Sequence, residues 1–116
     1  KFRQAIHVNE KFDRWHYWGF WIESDGFIGP ENPTDPSCQF TGLLDKSGKE
    51  IYEGDILKVP CGPYALENGD VFYNENVAHF QVRTRAREWG VYIEGTGWEV
   101  IGNIYSNPEL VNRERA

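Results

Sequence analysis

Apolar and polar positions in this chain alternate in short runs broken by glycine, proline and Asp–Gly or Asn–Glu pairs, a pattern of strands and turns. Phe2 to Val8 predicts a strand turned by Asn9-Glu10-Lys11. Arg14 to Glu23 follows, rich in the rings that fit a pleated surface. Its odd positions carry Trp15, Tyr17 and Trp21, and its even positions carry Trp18, Phe20 and Ile22. A strand with rings on both faces must be covered on both, by core on one side and by a loop or a neighbouring subunit on the other. Asp25-Gly26 then turns the chain, and residues 29–37 hold three prolines that define a surface loop.

The alternation resumes in the centre. Gln39 to Leu44 and Glu50 to Val59 predict a hairpin around Asp45-Lys46-Ser47-Gly48, which fits a type I turn with glycine where the backbone needs positive φ. Gly54 interrupts the returning strand and marks a bend. Asp70 to Tyr73, Ala78 to Thr84, Glu88 to Glu94 and Gly97 to Tyr105 give four more strands, with Trp89, Val91 and Ile93 sharing one side of the third. Asn107 as N-cap and Pro108 at the first helical position predict a short helix over 108–115, which must dock to be stable. The expected fold is mainly β, a small barrel or strongly bent antiparallel sheet with a short C-terminal helix.

Composition narrows this picture. The 116 residues predict a single domain over 1–116, made of an N-terminal hairpin at about 1–28, the proline loop 29–37, a β core 38–105 and the helix. The 7 Phe, 6 Tyr and 5 Trp give a large apolar area to bury, and 12 Gly with 6 Pro leave no room for long helices. A net charge of −6 disfavours nucleic acid and anionic membranes as partners unless a local basic patch exists. Cys38 and Cys61 stand without CxxC or Cys/His spacing and without a secretory segment, so they are read as reduced thiols of a cytoplasmic protein. The longest apolar run is too short to cross a bilayer.

Two stretches carry a family resemblance. Gln39-Phe40-Thr41-Gly42-Leu43-Leu44-Asp45-Lys46-Ser47-Gly48-Lys49-Glu50-Ile51-Tyr52-Glu53-Gly54-Asp55-Ile56-Leu57 resembles the central signature of YopX-like proteins, and Trp98-Glu99-Val100-Ile101-Gly102-Asn103-Ile104-Tyr105-Ser106-Asn107-Pro108-Glu109-Leu110 resembles their C-terminal signature. Lys1-Phe2-Arg3 is similar to their usual opening. The resemblance implies a phage or prophage product acting in the cytoplasm of a bacterial host. It assigns no catalytic residue, so both motifs are read as fold determinants, and the segment from Pro60 to Gly97 matches no part of the resemblance.

Candidate chemistry is sparse. Glu53 and Asp55 share a strand face and, with Glu50, could hold a divalent cation; the simpler reading has Asp55 accepting backbone N–H bonds at the Gly54 bend. His7, His16 and His79 lack metal-ligand spacing, and Gly95-Thr96-Gly97 has no helix after it, so neither a zinc site nor a nucleotide loop is expected. No catalytic residue, metal site or cofactor is called for. Arg83, Arg85 and Arg87, at period two, form a candidate phosphate-gripping row opposite Val82 and Phe80, with Trp89 or Tyr92 able to stack on a base. The competing reading is a solvated row that protects a strand edge. Trp15, Tyr17, Trp18 and Trp21 form a candidate interaction surface. The expectation is thus a non-enzymatic protein-interaction or assembly module, pairing with itself as a homo-oligomer or with another phage or host protein; the alternative is a nucleic-acid-binding small β-barrel.

Overall fold

The first strands pair through residues that suit a pleat on both sides. The computed structural model describes residues 2–18, 37–60, 66–85, 89–93 and 98–111. The chain forms two compact units, Lys1–Phe40 and Thr41–Ala116, so the boundary falls inside a strand rather than in the proline loop. In the first unit, β1 (Phe2–Val8) and β2 (Lys11–Trp18) form an antiparallel hairpin. Asn9 and Glu10 close it with φ of 53° and 67°, the two positive values a type I′ turn demands. Ile6 faces Arg14 while His7 faces Phe12, so Asp13 is the extra residue of a bulge. The start of β3 (Ser37–Leu44) pairs with the other edge of β1, Phe2 with Gln39 and Gln4 with Ser37. Central position explains burial: Arg3, Gln4, Ala5 and Ile6 are all buried, two on each face.

In the second unit the far half of β3 pairs with β4 (Glu50–Tyr52), and the Thr41 hydroxyl donates to the Ile51 carbonyl at 2.8 Å. The turn between them is built on Asp45. Its Oδ1 accepts the amides of Ser47 and Lys49, each at 2.9 Å, and the Ser47 hydroxyl at 3.0 Å. Its Oδ2 reaches across the unit to the Val100 amide at 3.0 Å. Burial would raise the Asp45 pKa, but these hydrogen bonds outweigh it and hold the carboxyl down from 3.8 to about 2.

At Gly54, φ +90°, the chain turns a corner and passes from β4 into a second sheet. Its amide donates to Val71 O at 2.8 Å, and its carbonyl accepts from Ile104 N at 2.9 Å. The bend expected there is thus a change of sheet. The second sheet has five strands in the order β8-β7-β6-β5-β9, namely β5 (Asp55–Pro60), β6 (Leu66–Asn74), β7 (His79–Arg83), β8 (Val91–Tyr92) and β9 (Glu99–Asn103). Its described pairings are antiparallel, and a bulge beside Ile56 and Leu57 bends the β5–β9 pair. Ile51, Leu57, Val59, Val71, Val82, Ile93 and Trp98 form the core, with Leu43, Phe80, Val91 and Val100 packed against it.

The chain is therefore mainly β with bent antiparallel sheets. Its C-terminal helix is a 3₁₀ turn, Pro108–Val111, tied to the sheet by Asn68 Nδ2 donating to the Leu110 carbonyl at 3.1 Å. Residues 112–115 of the expected helix lie outside the described residues. So do 19–36, which include Trp21, the Asp25-Gly26 turn and most of the proline loop, and also Cys61.

Candidate functional site

Register sorts the side chains of β6, β7 and β8 onto two faces, because directly opposed residues of an antiparallel pair share a side and successive residues alternate. Val71, Phe80, Val82 and Val91 face the core. The outer face therefore carries Asp70, Phe72 and Asn74 from β6, His79, Gln81 and Arg83 from β7, and Tyr92 from β8.

These groups are held in place from beneath. Arg83 Nε donates to Oδ2 of the buried Asp70 at 3.0 Å, and the guanidinium lies over the Phe72 ring with Cζ 4.4 Å from its centroid. The Arg83 side chain remains 45% exposed. Asn74 Nδ2 donates to Oε1 of the buried Gln81 at 2.8 Å. His79 meets Tyr92 edge to face, with centroids 4.8 Å apart at 87°, and Tyr92 is 53% exposed.

Trp89 is the most exposed large apolar side chain described, at 71%. Alternation expects it on one strand face with Val91 and Ile93, and it is also a candidate to stack on a base. The strand does not extend that far: the Gly90 φ of +95° breaks it before β8 begins, so the pleat never reaches Trp89, whose exposure suits stacking. Gly90 also packs closely against the outer face. A Cβ there would come 2.6 Å from Gln81 Oε1 and 2.8 Å from Phe72 Cζ, so only glycine fits.

Of the arginine row, Arg83 is on the outer face as expected, opposite to Val82. β7 ends with it, so Arg85 stands on an exposed bend past the strand, and Arg87 lies outside the described residues. The strand thus carries one arginine of the three.

A comparison with protein families matches the profile described as YopX protein over residues 10–112. The chain belongs to the YopX family. The bounds of the match enclose 60–97, the stretch outside the sequence resemblance, so the outer face lies within the family region; Lys1-Phe2-Arg3 precedes it. Among solved structures the chain is similar to protein EF1440 from Enterococcus faecalis, at 31% identity and a TM-score of 0.51 over 70% of this chain. The likeness spans 58% of that protein's length. No curated protein matches.

The other candidates of this YopX-family chain read as follows. On β2, Trp15 and Tyr17 share one face and Trp18 takes the other, so rings do project on both sides. Trp18 stacks on Phe2, centroids 4.3 Å apart at 13°, and its Nε1 donates to Ser37 Oγ at 3.3 Å. Trp15 lies 3.8 Å under the Arg3 guanidinium and 5.1 Å from Phe12. Tyr17 is 52% exposed. Asp55 is buried and its Oδ2 accepts the Tyr52 amide at 2.8 Å across the Gly54 corner, the structural role expected of it. Glu50 Oε1 accepts the Tyr52 hydroxyl at 3.1 Å. Among the described residues no three His, Cys, Asp or Glu side chains are placed to hold a metal, and no helix is long and apolar enough to cross a membrane. Sequence reasoning missed Asp70, Phe72 and Gly90, which organise the outer face. The one available signal was Asp70 in a strand candidate that pairs with the arginine strand.

Proposed function

We propose that this YopX-family chain is a non-enzymatic protein-interaction or assembly module, encoded by a phage or prophage and acting in the cytoplasm of the bacterial host, with a second copy of itself as first partner. The observation that carries the reading is β2, whose rings project from both faces and whose Tyr17 is half-exposed beside the packed Trp15. Rings displayed on a small domain in this way are characteristic anchors of protein interfaces. An acidic chain with net charge −6 stays soluble while such rings are displayed.

Light scattering at micromolar concentration tests this. The expected mass is a multiple of the 13.5 kDa chain, and Tyr17→Ala should weaken association by about 2 kcal/mol, roughly thirtyfold. A strict monomer at that concentration overturns self-association.

A further inference from the structure

We propose that the outer face of β6, β7 and β8, with Trp89 and Arg85 at its margin, binds single-stranded nucleic acid. This rests on the second unit alone and is independent of assembly through β2. Three observations converge on it.

The first is the exposure of Trp89 and Tyr92 within three residues of each other on either side of Gly90 and Val91. Any base has a π-face that can stack on such rings, so recognition of this kind tolerates sequence. Gly90 supplies the second. By seating the chain against Phe72 and Gln81, it brings Trp89 to the margin of the sheet on a fixed turn. The third is charge. Asp70 and Phe72 fix the Arg83 guanidinium in one orientation while leaving its side chain half-exposed, and Arg85 follows on the bend. An oriented guanidinium grips phosphate with little further loss of freedom.

The chemistry of the face favours this ligand over a protein. Its exposed and half-buried side chains are aromatic, amide or charged, with no aliphatic group among Phe72, Asn74, His79, Arg83 and Tyr92, while Asp70 and Gln81 are themselves buried. Single-stranded nucleic acid supplies a phosphate for the Arg83 and Arg85 guanidiniums and a stackable base for the rings in one ligand. The net charge of −6 opposes a polyanion at long range, so binding is modest and confined to low salt.

Fluorescence anisotropy with a fluorescein-labelled oligothymidylate of about 15 nucleotides tests the proposal. Two phosphate contacts give a log–log salt slope of about −1.4, so affinity should fall about sevenfold between about 50 and about 200 mM NaCl. Trp89→Ala should weaken binding about tenfold, and Arg85→Gln should halve the salt slope. Both positions are exposed, so circular dichroism should be unchanged, whereas Arg83→Gln would remove a charged partner of the buried Asp70 and is a poorer probe. Tyr17→Ala should bind as the parent does, even if it alters the mass in solution. The proposal is overturned by no anisotropy change at about 50 mM salt, by binding that survives both substitutions, by binding lost in Tyr17→Ala, or by a mass in solution that falls with Trp89→Ala, which would make the face a protein interface.

Discussion

In the first unit Trp18 lies flat on Phe2 and Trp15 sits under the Arg3 guanidinium, so neighbours take up the ring faces. In the second unit the guanidinium of Arg83 covers Phe72, while Trp89 and Tyr92 stay exposed around a clamped glycine. Both places pair arginine with rings. The difference lies in what holds the arginine: Arg3 is buried inside the sheet, whereas Arg83 is tethered by Asp70 at the surface. Trp15 and Trp18 therefore cement their sheet, while Tyr17, Trp89 and Tyr92 are displayed.

The comparison is sharpened first at Trp18. Trp18→Ala removes a stacked ring and a hydrogen bond to Ser37, and should cost about 3 kcal/mol in a denaturant melt. A loss below about 1 kcal/mol would mean that Trp18 is displayed as Tyr17 and Trp89 are, and not packed. Gly90→Ala is next, at about 2 kcal/mol, because a Cβ meets both a strained φ and the Phe72 ring. It should also shift Trp89 fluorescence, since Trp89 is held by that turn; an unshifted spectrum with parental stability would break the idea of a clamped display.

A polar group committed to the fold gives the next contrast. The Asp45 carboxyl, held at about 2, lies below its ordinary 3.8, so its contribution is complete above about pH 4 and is lost as pH falls through 2. Asp45→Asn should cost on the order of 1–2 kcal/mol at neutral pH, and the gap to the parent should close near pH 2. Melts across that range decide it; a gap independent of pH would assign the effect to packing. Smallest of all, Trp89→Ala should change stability by no more than about 0.5 kcal/mol, as expected of a ring that holds nothing together.

Much of this architecture was legible because local signals and tertiary pairing agree. The hairpin around Asp45 and the bend at Gly54 follow from turn chemistry that needs only neighbours in sequence. The first half of β6 was not legible. Glu67, Asn68 and Gly69 disfavour strands, and pairing with Lys58 and Leu57 overrides them, with Gly69 required because Val82 and Thr84 lie too close for a side chain. Nor was the break at Gly90, where the alternation through Trp89, Val91 and Ile93 crosses a glycine whose φ ends it. The long-range half of the Asp45 site was equally hidden, since Val100 is distant in sequence. The arginine triplet showed its composition but not its geometry, because nothing in the residues themselves marks Arg83 as the last of β7.

Strand order also sets a timetable for synthesis. β5 sits between β6 and β9, so its hydrogen bonds on one side arrive promptly from the next strand in the chain, while those on the other wait for Glu99–Asn103. A nascent chain that has emerged only as far as β8 presents the Asp55–Lys58 edge, with the apolar Ile56 and Leu57, to its surroundings. That edge is a ready template for another strand. β5 is thus sealed last on its β9 side, and the interval before β9 docks is when that edge is most open to capture by a chaperone or by a sister chain on the same messenger.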